Sequence, residues 1–235
     1  MNRTLIAAFL RQRMTSPMRI GLMMLVTLFP LGAAVVMGSL SPLGDMGAPL
    51  ALILAAGAIG QDVSSGTLQL LLVRPVSRPS VLVHRWLAVV IAAVTLAVAL
   101  LVLGTLALLA RGTRPDALDL IRMVLESACG AAGSAAVMVM LSTLVGGLGD
   151  VGIFALVAVL TQLLVGLGTL EHWDGLLRAC TEAQGVLSPQ LSWTWMTHGT
   201  PPSWFAITSW ASTVTLALAA AITRFNRREL SYAAG

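Results

Sequence analysis

The chain is poor in charge, has no lysine and carries few cysteines. Charged residues make up 10% of its 235 residues, against roughly 25% in a soluble domain, too few to clothe a globule in water. Two cysteines exclude a secreted scaffold built on disulfides. A hydrophobic share of 57% and a mean hydropathy of +0.89 exclude a disordered chain. The absence of lysine also excludes a Walker A loop, since Gly-x-x-x-x-Gly-Lys-Ser/Thr needs that side chain to reach a nucleotide's phosphates. What remains is the composition of an integral membrane protein.

All 14 basic residues are arginines, a bias that, with abundant alanine and leucine, suggests a GC-rich bacterial genome. They are scattered between apolar segments, which argues against a nucleic-acid partner. The N-terminus does not read as a signal peptide, because Arg11 and Arg13 interrupt the short apolar stretch Leu5 to Leu10.

A bilayer core needs about 20 apolar residues per spanning helix. Six runs meet or approach that length: 20–40, 46–60, 86–110, 123–148, 151–170 and 204–223. Pro30 falls inside the first and is expected to kink it without ending it. The second is short and needs help from its flanks. Arg3, Arg11, Arg13, Arg19, Arg74, Arg78, Arg85, Arg224, Arg227 and Arg228 all fall on one side of this arrangement. Arg111, Arg114, Arg122 and Arg178 fall on the other, diluted by Asp116, Asp119, Glu171, Asp174 and Glu182. The asymmetry predicts cytoplasmic termini, as does the even count of spans.

The expected fold class is therefore all-α and membrane-integral, a single domain over residues 1–235 with no internal repeat. Residues 3–14 read as an amphipathic helix on the membrane surface, with Leu5, Ile6, Phe9 and Leu10 on its apolar side and Thr4, Arg11 and Gln12 opposite; Leu5, Phe9, Arg11 and Arg13 are its candidate interface residues. Gly149 and Asp150 are expected to form a tight turn between the fourth and fifth spans. Residues 171–203 form the largest exterior segment, read as a short amphipathic helix followed by tryptophan anchors at the outer interface. Rows of small residues on the fourth span, Ala128, Ala132 and Ala136, and Gly130 with Ser134, suit close helix packing.

The most specific text lies in segment 61–79: Asp62, then Gly66-Thr67-Leu68, Leu70-Leu71-Leu72, and Arg74-Pro75-Val76-Ser77-Arg78-Pro79. It reads as a turn at Gly66 and a short helix from Thr67 to Val73, closed by proline. That helix is too brief to span a membrane and too apolar to stand alone in water. Its leucines need a partner surface.

This run resembles the signature of ABC-2 type transporter permeases: an acidic residue four before Gly-Thr-Leu, then leucines, then Pro-Val-Ser-Arg, then a basic residue opening the third span. Asp62 stands where glutamate is usual, and His84-Arg85 where Gly-Lys is usual. The closing Phe225-Asn226-Arg227-Arg228-Glu229-Leu230 and the six-span layout are similar to the same family. The resemblance implies a permease subunit, not itself an enzyme, in a bacterial inner membrane. It has no cofactor of its own; ATP and Mg are bound by a separate ATP-binding cassette subunit. It also implies a second permease subunit, identical or paralogous, and membrane lipids as surroundings. Segment 61–79 would be the coupling element, with Asp62, Gly66, Thr67, Leu68, Leu70, Leu71, Arg74, Pro75 and Arg78 meeting the ATPase, while the interface helix presses on the same partner.

Glu126 lies inside the fourth span with Arg122 one turn before it, where an ion pair would offset the cost of a buried carboxylate. Glu126, Arg122 and Gln162 are the candidate substrate path or gate. The histidines His84, His172 and His198 have no metal-ligand spacing, and Cys129 and Cys180 are expected as free thiols. An alternative reading keeps the ATPase partner but uses its motion for mechanotransmission or lipid extraction. An intramembrane enzyme would need a nucleophile and base, or a metal pair, at matched depth, and Glu126 alone does not supply it.

Overall fold

The computed structural model describes Phe9, Arg11 and residues 17–60, 77–145, 148–170, 173–198 and 203–227. These form helices α1 (Pro17–Met37), α2 (Gly47–Ala55), α3 (Arg78–Ala110), α4 (Ala117–Leu144), α5 (Gly149–Leu170), α6 (Asp174–Leu187), α7 (Trp195–His198) and α8 (Trp204–Arg227), with a 3-10 turn at Ser41–Leu43. No strand occurs among the described residues. Among the described residues five helices, α1, α3, α4, α5 and α8, are long and apolar enough to cross a membrane.

The apolar runs locate the helices but not their ends. Helix α3 begins at Arg78, eight residues before the expected start at Trp86, because Pro79 suits the first turn of a helix, where its missing N–H has no bond to lose. Its 33 residues extend about 50 Å at 1.5 Å per residue, well beyond a hydrocarbon core of about 30 Å. Helix α4 likewise begins at Ala117, where the Asp116 carboxylate caps it by accepting from the Leu118 amide at 3.3 Å. Helix α1 continues through Pro30.

The second apolar run differs most from expectation. Only Gly47–Ala55 is a regular helix; residues 56–59 form turns. Yet α2 is the most enclosed element: Leu50, Ala51, Leu54 and Ala55 are fully buried. It reaches this depth because Gly47 lies directly against the Ser127 backbone of α4, where any Cβ would overlap the carbonyl.

Helix α4 is the axis on which the others pack. Ala131 and Ala135 join the main core with Leu50, Leu54, Ala88 and Val89, while Ala136 meets Val214 and Ala217 of α8. Indole N–H groups fasten neighbours to its backbone, Trp86 donating to the Ala132 carbonyl at 3.0 Å and Trp210 to that of Cys129 at 3.2 Å. The small-residue positions therefore serve contacts within this chain.

The amphipathic helix expected in segment 171–203 is present as α6, and its packing partner is α5. Leu176 and Leu177 of α6 pack against Gly168, while Gln184 and Leu187 share a cavity wall with Phe154, Ala158 and Gln162. Chain order falls along α5 as it rises along α6, so the two run antiparallel, and the apolar face of α6 is covered by α5. Beyond α6 the chain crosses to α4 and returns along it. Ser188 Oγ lies 3.1 Å from Ser134 Oγ, Pro189 occupies the space left by Gly133, and Trp193 reaches Glu126. Residues 188–194 are thus an extended strap that begins past the middle of α4.

Candidate functional site

Two polar centres lie at opposite ends of the bundle. The first surrounds the broken end of α2. Every backbone N–H from Ala56 to Gly60 has a partner. Ala56 and Ala58 donate to the carbonyls of Leu52 and Ala55 at 3.0 and 2.8 Å. Gly57 donates to Asp150 Oδ2 at 2.7 Å, and Ile59 and Gly60 both donate to Ser142 Oγ at 2.9 Å. Two carbonyls are also engaged: Ala56 accepts from Arg19 at 3.0 Å, and Ala58 accepts from Arg85.

Each polar group answers to a local need. An unsatisfied backbone group in an apolar medium costs several kcal/mol, so non-helical chain at this depth must be surrounded by donors and acceptors. Gly57 adopts φ +64°, a left-handed turn favoured by glycine. Asp150, fully buried in the first turn of α5, also accepts from its own neighbour Val151 at 2.8 Å. Arg85 is 6% exposed, and its guanidinium carbon lies 5.5 Å from the centre of the Phe9 ring, a cation–π contact. Helices α1, α3, α4 and α5 and the N-terminal segment thereby converge on five residues of chain that lead directly into segment 61–76.

The second centre lies under the strap. A cavity of about 460 Å³ is lined by Asp45, Arg122, Glu126, Gln190, Leu191, Ser192 and Thr194. Asp45, in the turn before α2, accepts from Gln190 Nε2, and Glu126 Oε1 accepts from the Trp193 amide at 3.0 Å. Arg122 pairs with Asp119 at 3.3 Å, and its Nε is buried without a partner, as is Trp193 Nε1.

The expected Arg122–Glu126 pair is therefore replaced. Asp119, three residues before Arg122, takes the guanidinium toward the helix end, while Glu126 binds a backbone N–H brought in by the strap. Gln162 lines a separate cavity of about 360 Å³ between α5 and α6, and Gln190 stands in the walls of both.

Of the expected coupling residues, Arg78 alone is described. It opens α3, and its Nη1 donates to the Asn226 carbonyl of α8 at 3.4 Å. Asp62, Gly66, Thr67, Leu68, Leu70, Leu71, Arg74 and Pro75 lie outside the described residues, as do Leu5 and Arg13 of the interface helix. Phe9 is 7% exposed and packs in the main core against Arg85, so its ring is committed to this chain; Arg11 is exposed. Cys129 and Cys180 are both free thiols, the latter buried. Among the described residues no group of three or more His, Cys, Asp or Glu side chains could hold a metal.

Asp150, Ser142, Arg19, Asp45 and Gln190 carry these centres although nothing in their spacing marks them. One signal was present: Ala56-Gly57-Ala58-Ile59-Gly60 is glycine-punctuated inside an apolar run, and such a break needs polar partners. A family model described as a protein of unknown function, DUF2705, matches residues 30–231. No curated protein matches the chain.

Proposed function

The chain belongs to the DUF2705 family of proteins of unknown function, and for this member of it we propose the role of permease subunit in an ATP-driven transporter of the ABC-2 type, working as an exporter. The observation that carries this reading is the pinned backbone Ala56–Gly60. A short apolar segment that docks into a separate ATPase must deliver its displacement to the spanning helices. Here the chain leading into that segment is gripped by side chains of α1, α3, α4 and α5. A push on residues 61–76 would reach four helices through direct hydrogen bonds to Ala56–Gly60.

In this reading there are six crossings. The second is composite: nine residues of α2 span only about 14 Å, and the remaining depth is made by the 3-10 turn and by residues 56–60. The arginine-rich end, with both termini, faces the cytoplasm of a bacterial inner membrane. Asp62, Gly66, Thr67, Leu68, Leu70, Leu71, Arg74 and Pro75 meet the ATP-binding subunit, which supplies ATP and Mg. A second permease subunit completes the translocation path, and the cavities at Glu126, Arg122 and Gln162 belong to its outer half.

The test is purification of the tagged chain from its native host in mild detergent, with wild type compared to Leu71→Arg. Wild type is expected to bring down an ATP-binding subunit with ATPase activity. Leu71→Arg, which would bury an arginine without a partner at the docking surface, is expected to reach the membrane in normal amount but lose that subunit or its activity. Recovery of wild type without any nucleotide-binding protein, or full activity in Leu71→Arg, would refute the reading.

A further inference from the structure

Between α1 and α5 lies a third cavity, a groove of about 360 Å³. Its floor is apolar and belongs to the core, with Ile53 of α2 and Met138 of α4 both buried. Its lips are apolar and exposed, Met18 on α1 and Leu148 beside the start of α5. Among the described residues that line it, Arg19 alone is charged. We propose that this groove holds an acyl chain of an anionic phospholipid from the adjoining leaflet, with the lipid phosphate at Arg19.

The walls select an apolar chain. Exposed apolar lips on helices that cross a membrane face hydrocarbon, so the groove opens onto lipid tails and not onto water. An apolar cavity of about 150 Å³ stays dry and holds a benzene ring; this one, more than twice that size, takes a length of acyl chain. Met138 supplies a flexible side chain that moulds to an irregular apolar partner. Gly152 keeps the α5 wall low. Unlike Gly47 and Gly133, which lie against the backbone of neighbouring segments, Gly152 has nothing within 4 Å of where a Cβ would stand. Glycine weakens a helix relative to alanine, and packing within this chain gives no reason for it here. An occupant of the groove does.

The cation stands where a headgroup would. Arg19 immediately precedes the apolar run 20–40, at the level where hydrocarbon gives way to phosphate, and the apolar walls continue from it into the bundle. Cation first and apolar wall next is the order of a phospholipid. A helix of another protein would have to bring an acidic group and an apolar filling separately, whereas one lipid carries both. The bond from Arg19 to the Ala56 carbonyl at 3.0 Å holds the guanidinium at this end of the groove. Asp150 lies near Arg19 and moderates its pull, but it serves the Gly57 and Val151 amides and is absent from the groove wall. One arginine near an anionic surface favours binding by about fivefold, and Asp150 makes that an upper value. The inference needs only helices that cross a membrane, so its failure would leave the permease reading standing, and the reverse.

The test uses the full chain in phosphatidylcholine nanodiscs, with Cys129→Ala and Cys180→Ala and one fluorophore on Leu156→Cys, an exposed position one turn beyond Gly152. A quencher is carried on the acyl chain of either phosphatidylglycerol or phosphatidylcholine. Half-quenching should need up to about fivefold less of the phosphatidylglycerol probe, whereas a fluorophore on Leu216→Cys of α8, also exposed, should respond equally to both. Arg19→Gln keeps an N–H for Ala56 but removes the charge and should abolish the preference; Arg19→Lys should retain it. Gly152→Phe fills the groove and should abolish the preference with Arg19 intact, which gives a second arm if Arg19→Gln fails to insert. Equal quenching of the Leu156 site by both probes would overturn the proposal. So would a preference that survives Arg19→Gln or Gly152→Phe, one lost in Arg19→Lys, or one of the same size at Leu216.

Discussion

The two ends of the bundle solve the same problem in opposite ways. Each holds a stretch of irregular chain against long helices, Ala56–Gly60 at one end and the 188–194 strap at the other. At the first, opposite charges meet: Arg19 lies near Asp150, and each polar side chain serves a backbone group of the opposite hydrogen-bonding sense. At the second, two carboxylates share a cavity, and two buried nitrogens, Arg122 Nε and Trp193 Nε1, have no partner. The comparison teaches that burial does not itself decide rigidity. A fully satisfied polar network rigidifies what it holds, whereas a partly satisfied one carries the cost of its unpaired buried groups. The rigid end adjoins the segment proposed to receive force, and the uneven end adjoins the cavities.

The largest effect should come from breaking the satisfied end. Asp150→Ala leaves the Gly57 amide without its partner and Arg19 without its facing charge. Removing one member of a buried charged set costs about 3–5 kcal/mol. Unfolding by increasing the mole fraction of a denaturing detergent should show that loss, and Asp150→Asn, which still accepts from Gly57, should show less.

A smaller effect is expected at the strap. Gly133→Val would place its side chain where Pro189 sits, so the strap must lift while the helices remain. Overpacking of this kind costs about 1–3 kcal/mol. Limited proteolysis should cut the variant between α6 and α8 at a dose that leaves wild type intact, with helix content unchanged by circular dichroism. If the strap resisted cleavage equally in both, the contrast between the two ends would be lost.

The smallest effect sharpens the comparison at the rigid end. Phe9→Leu keeps an apolar side chain in the core but removes the ring beneath Arg85. Between two buried partners the cation–π contribution is about 2 kcal/mol, so a thermal shift of a few degrees is expected. A drop as large as that of Asp150→Ala would mean that Phe9, and not the polar network, holds this end together.

Much of the fold was legible in the sequence, and particular residues show where legibility ended. The apolar runs located all five long helices, because transfer of about 20 apolar residues out of water is a local property of the run. Helix ends were misplaced at Arg78 and Ala117, since hydropathy reports what lipid or protein must cover and not how far the hydrogen-bond ladder extends beyond it. Glu126 stands out in the sequence as a charge in an apolar run. Its partner does not, because Arg122 is near in sequence whereas Trp193 is near only in space. Asp150 was read as a turn residue, the ordinary place for aspartate between two helices, and its burial depends on a glycine 93 positions away.

Composition and pattern alone determined that this chain is helical, that it is built for a membrane, and which runs of residues form its long helices. They did so because burial of apolar side chains and the period of a helix are properties of neighbouring residues. Only the tertiary structure decided that the second run breaks at Ala56, that α6 turns back along α5, and that the strap reaches Glu126. Those outcomes depend on pairs such as Gly57 with Asp150, Ile59 with Ser142 and Glu126 with Trp193, separated by 93, 83 and 67 positions. A buried backbone group accepts whichever partner the packing of helices brings within 3 Å, and no local pattern records which that is.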